Sequence, residues 1–257
     1  MCQYNPQMKP HLSIIVPTYQ RPQKLERALA SVASATNCHF EIIVIDDCPQ
    51  GSAFSIANRY GARYVCKAGI DRGLSASRNI GLSIARGRWF AFLDDDDFFA
   101  PGGLDQLLLK TNGEYGIVFG DYTAFNTDAR ADIDLSAINF DSMLVFNRIP
   151  IGAYVIARSS VTQQFDTRLR SHEDWDFLLT NMKDVSLHHV PCIVVLIDKT
   201  EVNNTSMLAR RRKLAWLDHL SIWSRFPASR LSKDRADLLC SLGIQLPEEL
   251  LKFEDDI

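Results

Sequence analysis

The sequence predicts an α/β fold, a mostly parallel central sheet covered by helices, and three observations predict it. Short apolar runs alternate with helically spaced segments through the first half of the chain. Those runs are apolar almost without interruption, as strands buried on both faces are. Polar side chains collect just after three of them, where sheets of this kind bind ligands.

The elements follow in order. Leu12 to Val16 is a β-rich run ended by Pro17, and Pro22 then opens a helix with Leu25, Ala28, Leu29 and Val32 at helical spacing. Phe40 to Ile45 is a second buried strand, Ala53 to Tyr60 a helix, and Arg63 to Val65 a short strand. Leu74 to Ala85 is helical, with Gly87 expected to terminate it. Trp89 to Leu93 is a strand, Leu104 to Lys110 a helix and Gly116 to Phe119 a strand. From about Asp121 the pattern loosens. Ala153 to Ala157 and Val185 to His189 read as strands, and Asp174 to Asn181 as a short helix. Met207 to Phe226 is helical, with Leu208, Ala215, Trp216, Ile222, Trp223 and Phe226 on one face.

A chain of 257 residues with 46% hydrophobic content is long enough to bury a real core. The net charge of -3 argues against nucleic acid as the main partner. Six scattered cysteines form no CxxC pair, which excludes a zinc ribbon or thioredoxin-like site and points to a reducing compartment. Met1 to His11 is polar and carries no secretory pattern. No stretch approaches the roughly 20 apolar residues of a membrane span. The expected location is cytoplasmic.

Four segments carry candidate chemistry. Asp94 to Asp97 follows an apolar strand, and crowded carboxylates are costly unless a cation sits among them. Hard oxygens of this kind suit Mg²⁺ or Mn²⁺; a solvated acidic loop capping the next helix is the alternative. On an extended chain Asp94 and Asp96 would face one way and Asp95 the other. The pair Asp46-Asp47 could accept hydrogen bonds from a nucleobase or ribose, or Asp47 could cap the following helix. Gly73 to Asn79 reads as a helix start whose N-terminus and Arg78 favour a phosphate nearby. His172 to Asp176 resembles a zincin motif only in part, because its fifth position is Asp176 and not His, so zinc is rejected. Its acidic pair either complements a helix dipole or supplies a general base.

Together these pieces resemble a family 2 glycosyltransferase of the GT-A fold, whose central sheet is Rossmann-like. Ile14 to Tyr19, Ile45 to Asp47, Gly73 to Asn79 with Gly81, Phe92 to Asp97 and Glu173 to Asp176 occur in the family's order, over about residues 11 to 200. The resemblance implies that Pro17 and Tyr19 line a nucleobase pocket, that Asp47 reads the base, and that Arg78 and Asn79 lie near the donor. Asp94 to Asp96 matches the DxD motif. Asp96, supported by Asp94, would hold Mn²⁺ or Mg²⁺, and Asp95 would contact ribose or metal. Asp174 matches the catalytic base, with Glu173 its neighbour. The implied reaction is a single inverting displacement from a nucleotide-sugar, a UDP-sugar at family level, onto a saccharide or lipid-linked saccharide acceptor in cell-surface polysaccharide or glycolipid assembly. The implied division is a GT-A domain over 1–206, with a nucleotide-sugar half over about 11–121 and an acceptor half over about 122–206, and a C-terminal helical extension over 207–257.

The segment Asp198 to Ser206 departs from the family pattern: it lacks the expected His, although Asn204 and Ser206 resemble its polar end. His188-His189 lie earlier and read as structural. Arg210 to Lys213 with Trp216 and Trp223 could seat the chain peripherally on the inner membrane face, but the basic residues do not gather on one side, which favours simple packing on the core. A nucleotidyltransferase would share the sheet and carboxylates, yet Pro17 to Pro22 lacks the glycine-rich loop that such enzymes carry. A non-catalytic sugar-binding relative is the third class, and the intact acidic pieces disfavour it.

Overall fold

The computed structural model describes residues 9–68, 72–111, 115–183, 185–200 and 209–241, without side chains for 209–214. Nine strands among them form one sheet. Its centre is β1 (Leu12–Thr18), buried at every position. β1 pairs in parallel with β2 (Phe40–Asp46) on one side and β4 (Trp89–Phe92) on the other, and β3 (Arg63–Cys66) adds in parallel to β2. Because the chain winds outward from β1 to β3 and then returns to the other flank, the crevice beyond β1 and β4 is a topological switch point.

Helices fill the connections. α1 (Pro22–Ala35) starts with proline at its first turn and buries Leu25, Ala28, Leu29, Val32 and Ala35, one stripe at helical spacing. α2 (Phe54–Arg59) and α3 (Leu74–Ile84) follow β2 and β3. Gly87 does not end α3. The helix closes at Ile84 with Ala85 extended, and Gly87 lies against β1, where a Cβ would come within 2.5 Å of the Ser13 backbone nitrogen.

The second half is mixed. β8 (Tyr154–Ala157) runs antiparallel to both β4 and β6 (Tyr115–Phe125). β6 outruns the expected Gly116 to Phe119 and pairs with β7 (Arg130–Ile133) and, in parallel, with β9 (Ser186–Asp198). The expected strand at Val185 to His189 and the apolar run after it are thus one strand, in spite of Pro191. The register shifts between Gly120 and Tyr122, so the proline sits at a bulge, where its missing N–H costs no ladder bond. β9 also pairs with β5 (Phe98–Phe99), a two-residue strand with no sequence signal.

α4 (Gly103–Leu108) and α5 (Phe140–Val145) precede α6 (Glu173–Met182), whose Trp175 is fully buried and donates its indole N–H to Met143 O at 2.7 Å. α7 (Ala209–Arg225) and α8 (Ser232–Ser241) complete the described chain. The expected face of α7 holds at Ile222, which is buried, and at Trp223 and Phe226, which pack on the core; Leu208 lies outside the described residues. Cys38, Cys48, Cys66, Cys192 and Cys240 are unpaired thiols. No helix among the described residues is long and apolar enough to cross a membrane.

Candidate active site

The carboxyl ends of β1, β2 and β4 open onto a cavity of about 230 Å³. Pro17, Tyr19 and Arg21 line it from the β1 end, Asp47 from the β2 end, Asp95 from the β4 end, and Gly73 and Ser77 from the start of α3. Tyr19 is half exposed, so its ring is available to a ligand face. Pro17, Tyr19, Asp47 and Asp95 thus share one wall system, brought together by strand ends that the parallel sheet sets side by side.

Asp46 and Asp47 take different tasks. Asp46 is fully buried and accepts the N–H groups of Cys48 and Ala53 and the Tyr64 hydroxyl, so it shapes the loop after β2. Asp47 faces the cavity. Its Oδ2 accepts the Gly73 N–H at 2.9 Å, and Lys67 Nζ lies 3.1 Å from its Oδ1. Gly73 sits at φ 110, which only glycine adopts readily, and its carbonyl accepts from Lys67 and from the Ser77 hydroxyl. Lys67 is buried and immediately follows β3. The strand-end rule that found Asp47 reaches it as well once β3 is seen to be parallel.

The four carboxylates after β4 do not alternate as an extended chain would. The Asp97 N–H bonds to Asp94 O at 3.1 Å and closes a turn, which sends each side chain to its own partner. Arg78 Nη2 donates to Asp94 Oδ1 at 2.7 Å. The Thr18 hydroxyl donates to Asp95 at 2.7 Å, and Arg21 Nη1 reaches Asp95 at 3.3 Å and Asp96 at 3.0 Å. Asp97 accepts the Asp198 N–H at 3.0 Å. Burial, followed by the charges of Asp94 and Asp96, pushes the Asp97 carboxyl up to about 8. Burial raises Asp95 to about 6. The turn carries four carboxylates against the two arginines that reach it, and its hard oxygens are of the kind that suits a divalent cation.

Among the described residues, the group of three side chains that meets a metal's spacing lies elsewhere. One ligand atom each from Asp121, Asp134 and His189 lies within 4.8 Å of the others, on β6, β9 and the loop after β7. Asp121 Oδ1 already bonds His189 Nε2 at 2.7 Å and accepts the Leu135 N–H at 2.8 Å, which gives His189 a structural tie between strands.

Arg78 joins the turn to α6. Its side chain is 1% exposed, and while Nη2 holds Asp94, Nη1 donates to Glu173 Oε1 at 2.8 Å. Glu173 and Asp174 open α6 directly after His172, which is left-handed at φ 59. Asp174 Oδ1 accepts the Trp175 N–H at 2.8 Å, and its Oδ2 accepts from Asn147 Nδ2 at 3.0 Å. Burial first, and then the Glu173 charge, holds the Asp174 carboxyl above the ordinary aspartate range. Asn79 turns away from the cavity: its amide donates to Phe165 O and accepts the Phe165 N–H, fixing the chain ahead of α6. Sequence reasoning missed Arg21, Lys67 and Asn147. Arg21 and Lys67 stand beside residues it did single out, whereas Asn147 carries no local signal. Asn204 and Ser206 lie outside the described residues.

The sequence model described as glycosyl transferase family 2 matches residues 13–173. An uncharacterized glycosyltransferase of Haemophilus influenzae is 30% identical over 185 residues, 68% of this chain and 63% of that one. The Bacillus subtilis glycosyltransferase YwdF is 27% identical over 82% of each chain. A GalNAc(5)-diNAcBac-PP-undecaprenol beta-1,3-glucosyltransferase of Campylobacter jejuni is 35% identical over 44% of this chain and 38% of its own. The chain thus spans less than two thirds of the Haemophilus relative's length and well under half of the Campylobacter one's. Among solved structures, S. aureus TarS 1-349 in complex with UDP-GlcNAc superposes with a TM-score of 0.66 at 18% identity, covering 84% of this chain and 67% of that one. A Pyrobaculum calidifontis mannosyltransferase with GDP-Man and Mn²⁺ does so at 0.63 and 16%, covering 86% and 66%. These likenesses show the fold, and the family match runs from β1 through the cavity and the acidic turn to Glu173. The chain belongs to glycosyl transferase family 2 and has its GT-A fold.

Proposed function

We propose that the chain transfers a sugar from a UDP-sugar, with Mn²⁺ or Mg²⁺ at Asp94 and Asp96, onto a hydroxyl of a saccharide or lipid-linked saccharide, inverting the anomeric centre. The observation that carries the reading is the Arg78 bridge, which ties the acidic turn beside the nucleotide cavity to the helix start bearing Asp174. The likeness to a UDP-GlcNAc complex supports the donor, and the Campylobacter relative's name supports a lipid-linked acceptor.

Tyr19 and Pro17 pack on the base, and Asp47, held by Gly73 and Lys67, accepts its N–H. Asp95, fixed by Thr18, faces the ribose. A bound divalent cation would neutralise charge gathering on the departing diphosphate. Asp174 takes the acceptor proton as the hydroxyl attacks, and its raised proton affinity suits a base working near neutrality. Glu173 is held beside Asp174 by Arg78. A cytoplasmic location with a peripheral contact at the inner membrane face, and a division into a GT-A domain over 1–206 and a helical extension over 207–257, belong to the same proposal.

Titration calorimetry with UDP, GDP and dTDP, with and without Mn²⁺, tests the donor site. UDP binding that requires Mn²⁺ is expected, and binding of no nucleotide in either condition would sink the reading. Asp174→Asn is expected to keep donor binding and lose transfer.

A further inference from the structure

Three side chains that gather round Asp174 each keep a buried polar atom with no hydrogen-bond partner among the described residues: Tyr154 Oη, Arg78 Nε and Asn147 Oδ1. They come from separate parts of the chain. Arg78 belongs to α3, Asn147 follows α5, and Tyr154 opens β8. Two of them are otherwise committed to the carboxylates of the site. Arg78 gives Nη1 to Glu173 and Nη2 to Asp94, and Asn147 gives Nδ2 to Asp174.

The sheet places Tyr154. Antiparallel pairing of Ala91 with Val155 sets it beside Phe92, the last residue of β4, and the two rings pack with centroids 6.2 Å apart. The acidic turn follows directly on that strand. The Tyr154 side chain is buried, yet its hydroxyl feels the charges of Asp174, Arg78 and Asp94. Burial first, and then the Asp174 charge, raises the hydroxyl well above the ordinary tyrosine value, so it keeps its proton and can donate. A buried hydroxyl without a bond is destabilising, and a phenylalanine ring would fill nearly the same volume without that cost. The hydroxyl is thus a burden on the fold unless something bonds it.

We infer that Tyr154, Arg78 and Asn147 bind a buried water molecule against Asp174, and that Tyr154 acts through it as a positioning residue for the base. The inference rests on the reading of Asp174 as base given above. The hydrogen-bond inventory closes on one water. It accepts from the Tyr154 hydroxyl and from Arg78 Nε, donates to Asn147 Oδ1, and has one hydrogen left for the Asp174 carboxylate. Buried waters typically make about three hydrogen bonds, to groups that otherwise have none. Asp174 already accepts from Trp175 N–H and Asn147 Nδ2. A further bond, fixed from α3 and β8, resists rotation of the carboxylate away from the acceptor hydroxyl. Tyr154 is not among the residues that line the nucleotide cavity, so its hydroxyl serves the base and not the donor.

Two experiments on the full chain test it. A crystal structure that resolves solvent is expected to show a water within about 3.2 Å of both Tyr154 Oη and Arg78 Nε. Those atoms left dry, or bonded directly to protein groups, would overturn the site. Tyr154→Phe keeps the ring and its packing on Phe92 and removes one oxygen. Its rate is read as UDP release from UDP-N-acetylglucosamine and UDP-glucose, with water as acceptor. The expected result is a fall in kcat of about five- to tenfold, the loss of one hydrogen bond, with KM and Mn²⁺-dependent UDP affinity unchanged and the unfolding midpoint not raised. Unchanged kcat with a raised midpoint would mean that the hydroxyl is unbonded, and KM rising as kcat falls would make Tyr154 a support of the whole site. Either result overturns the positioning role. A wild-type chain that hydrolyses neither UDP-sugar, or an Asp174→Asn variant as fast as wild type, counts against the reading of Asp174 as base and not against the water, which the crystal structure decides by itself.

Discussion

Arg78 donates to Glu173 at 2.8 Å across 95 positions of sequence, and the same guanidinium donates to Asp94. Two segments that share no sheet ladder are thereby fixed to one another through a side chain that water does not reach. Arg78→Ala leaves both carboxylates without their cation and is expected to cost about 3 kcal/mol in denaturant unfolding, near the lower end for a broken buried ion pair. Arg78→Lys keeps the charge but cannot hold two carboxylates in a fixed fork. It is expected to fold, to lose less stability, and to lose most transfer activity. An unfolding midpoint unchanged in the Ala variant would show that the bridge is ornamental.

Asn147 offers the next measurement. Its amide donates to Asp174 Oδ2 and so favours the charged carboxylate, opposing burial and the Glu173 charge, which favour the protonated one. In the proposed role of base, Asp174 works only when deprotonated, so transfer is expected to fall as pH drops through its raised pKa, above the usual value of about 4. Removing the donor in Asn147→Ala raises that pKa further. The acid limb of the pH–rate profile is expected to move up by about 0.5–1 pH unit, the equivalent of one hydrogen bond. A limb that stays in place would separate Asn147 from the base.

The parts of this fold legible in sequence were those with local causes. β1, β2 and β4 are apolar runs because they are buried on both faces, and the carboxylates at their ends converge because parallel strands end on one side. The acidic turn was legible as a cluster but not as a geometry, since period-two alternation fails once Asp97 bonds back to Asp94. β5 and the extension of β6 were not legible, because two residues give no periodicity and Asp121 to Phe125, half-buried between β7 and β9, mix polar and aromatic side chains without alternation. Asn79 was misplaced for a subtler reason. It follows Arg78 on α3 and so points about 100° away, to Phe165 and not to the donor. Asn147 was out of reach because its partner lies 27 positions on, joined only by tertiary packing.

Gly87 yields a test of the sheet that carries the site. Its N–H donates to the Ser13 hydroxyl at 2.8 Å, its carbonyl accepts from Arg158 Nε at 2.9 Å, and a Cβ would lie 2.5 Å from the Ser13 backbone nitrogen. A side chain could step aside, but β1 backbone in mid-sheet cannot. Gly87→Ala is expected to lose about 2–3 kcal/mol, the cost of overpacking a rigid core. Thermal unfolding would show it as a lowered midpoint with nucleotide affinity retained below the transition. A midpoint within a degree of wild type would mean that β1 yields.

α7 lies beyond the residues matched to the family, yet it touches the turn just ahead of α6. Asp218 accepts the N–H groups of Arg170 at 2.8 Å and Ser171 at 2.9 Å, just ahead of Glu173 and Asp174. Trp223 donates its indole N–H to Val145 O, two residues before Asn147, and Arg225 pairs with Asp176 at 2.6 Å. The Asn147 amide that bonds Asp174 and the turn that leads into Glu173 thus both follow segments that α7 touches. Asp218→Ala frees two backbone donors and lets the turn before α6 shift. Displacement of about 1 Å at a reacting group can cost a hundredfold, and a loosened turn samples the correct position part of the time. The expected result is a fall in kcat of about ten- to a hundredfold, with UDP binding unchanged because the cavity lies on the far side of Arg78. Loss of UDP affinity in step with kcat would instead mean that α7 supports the fold as a whole and has no particular hold on the base.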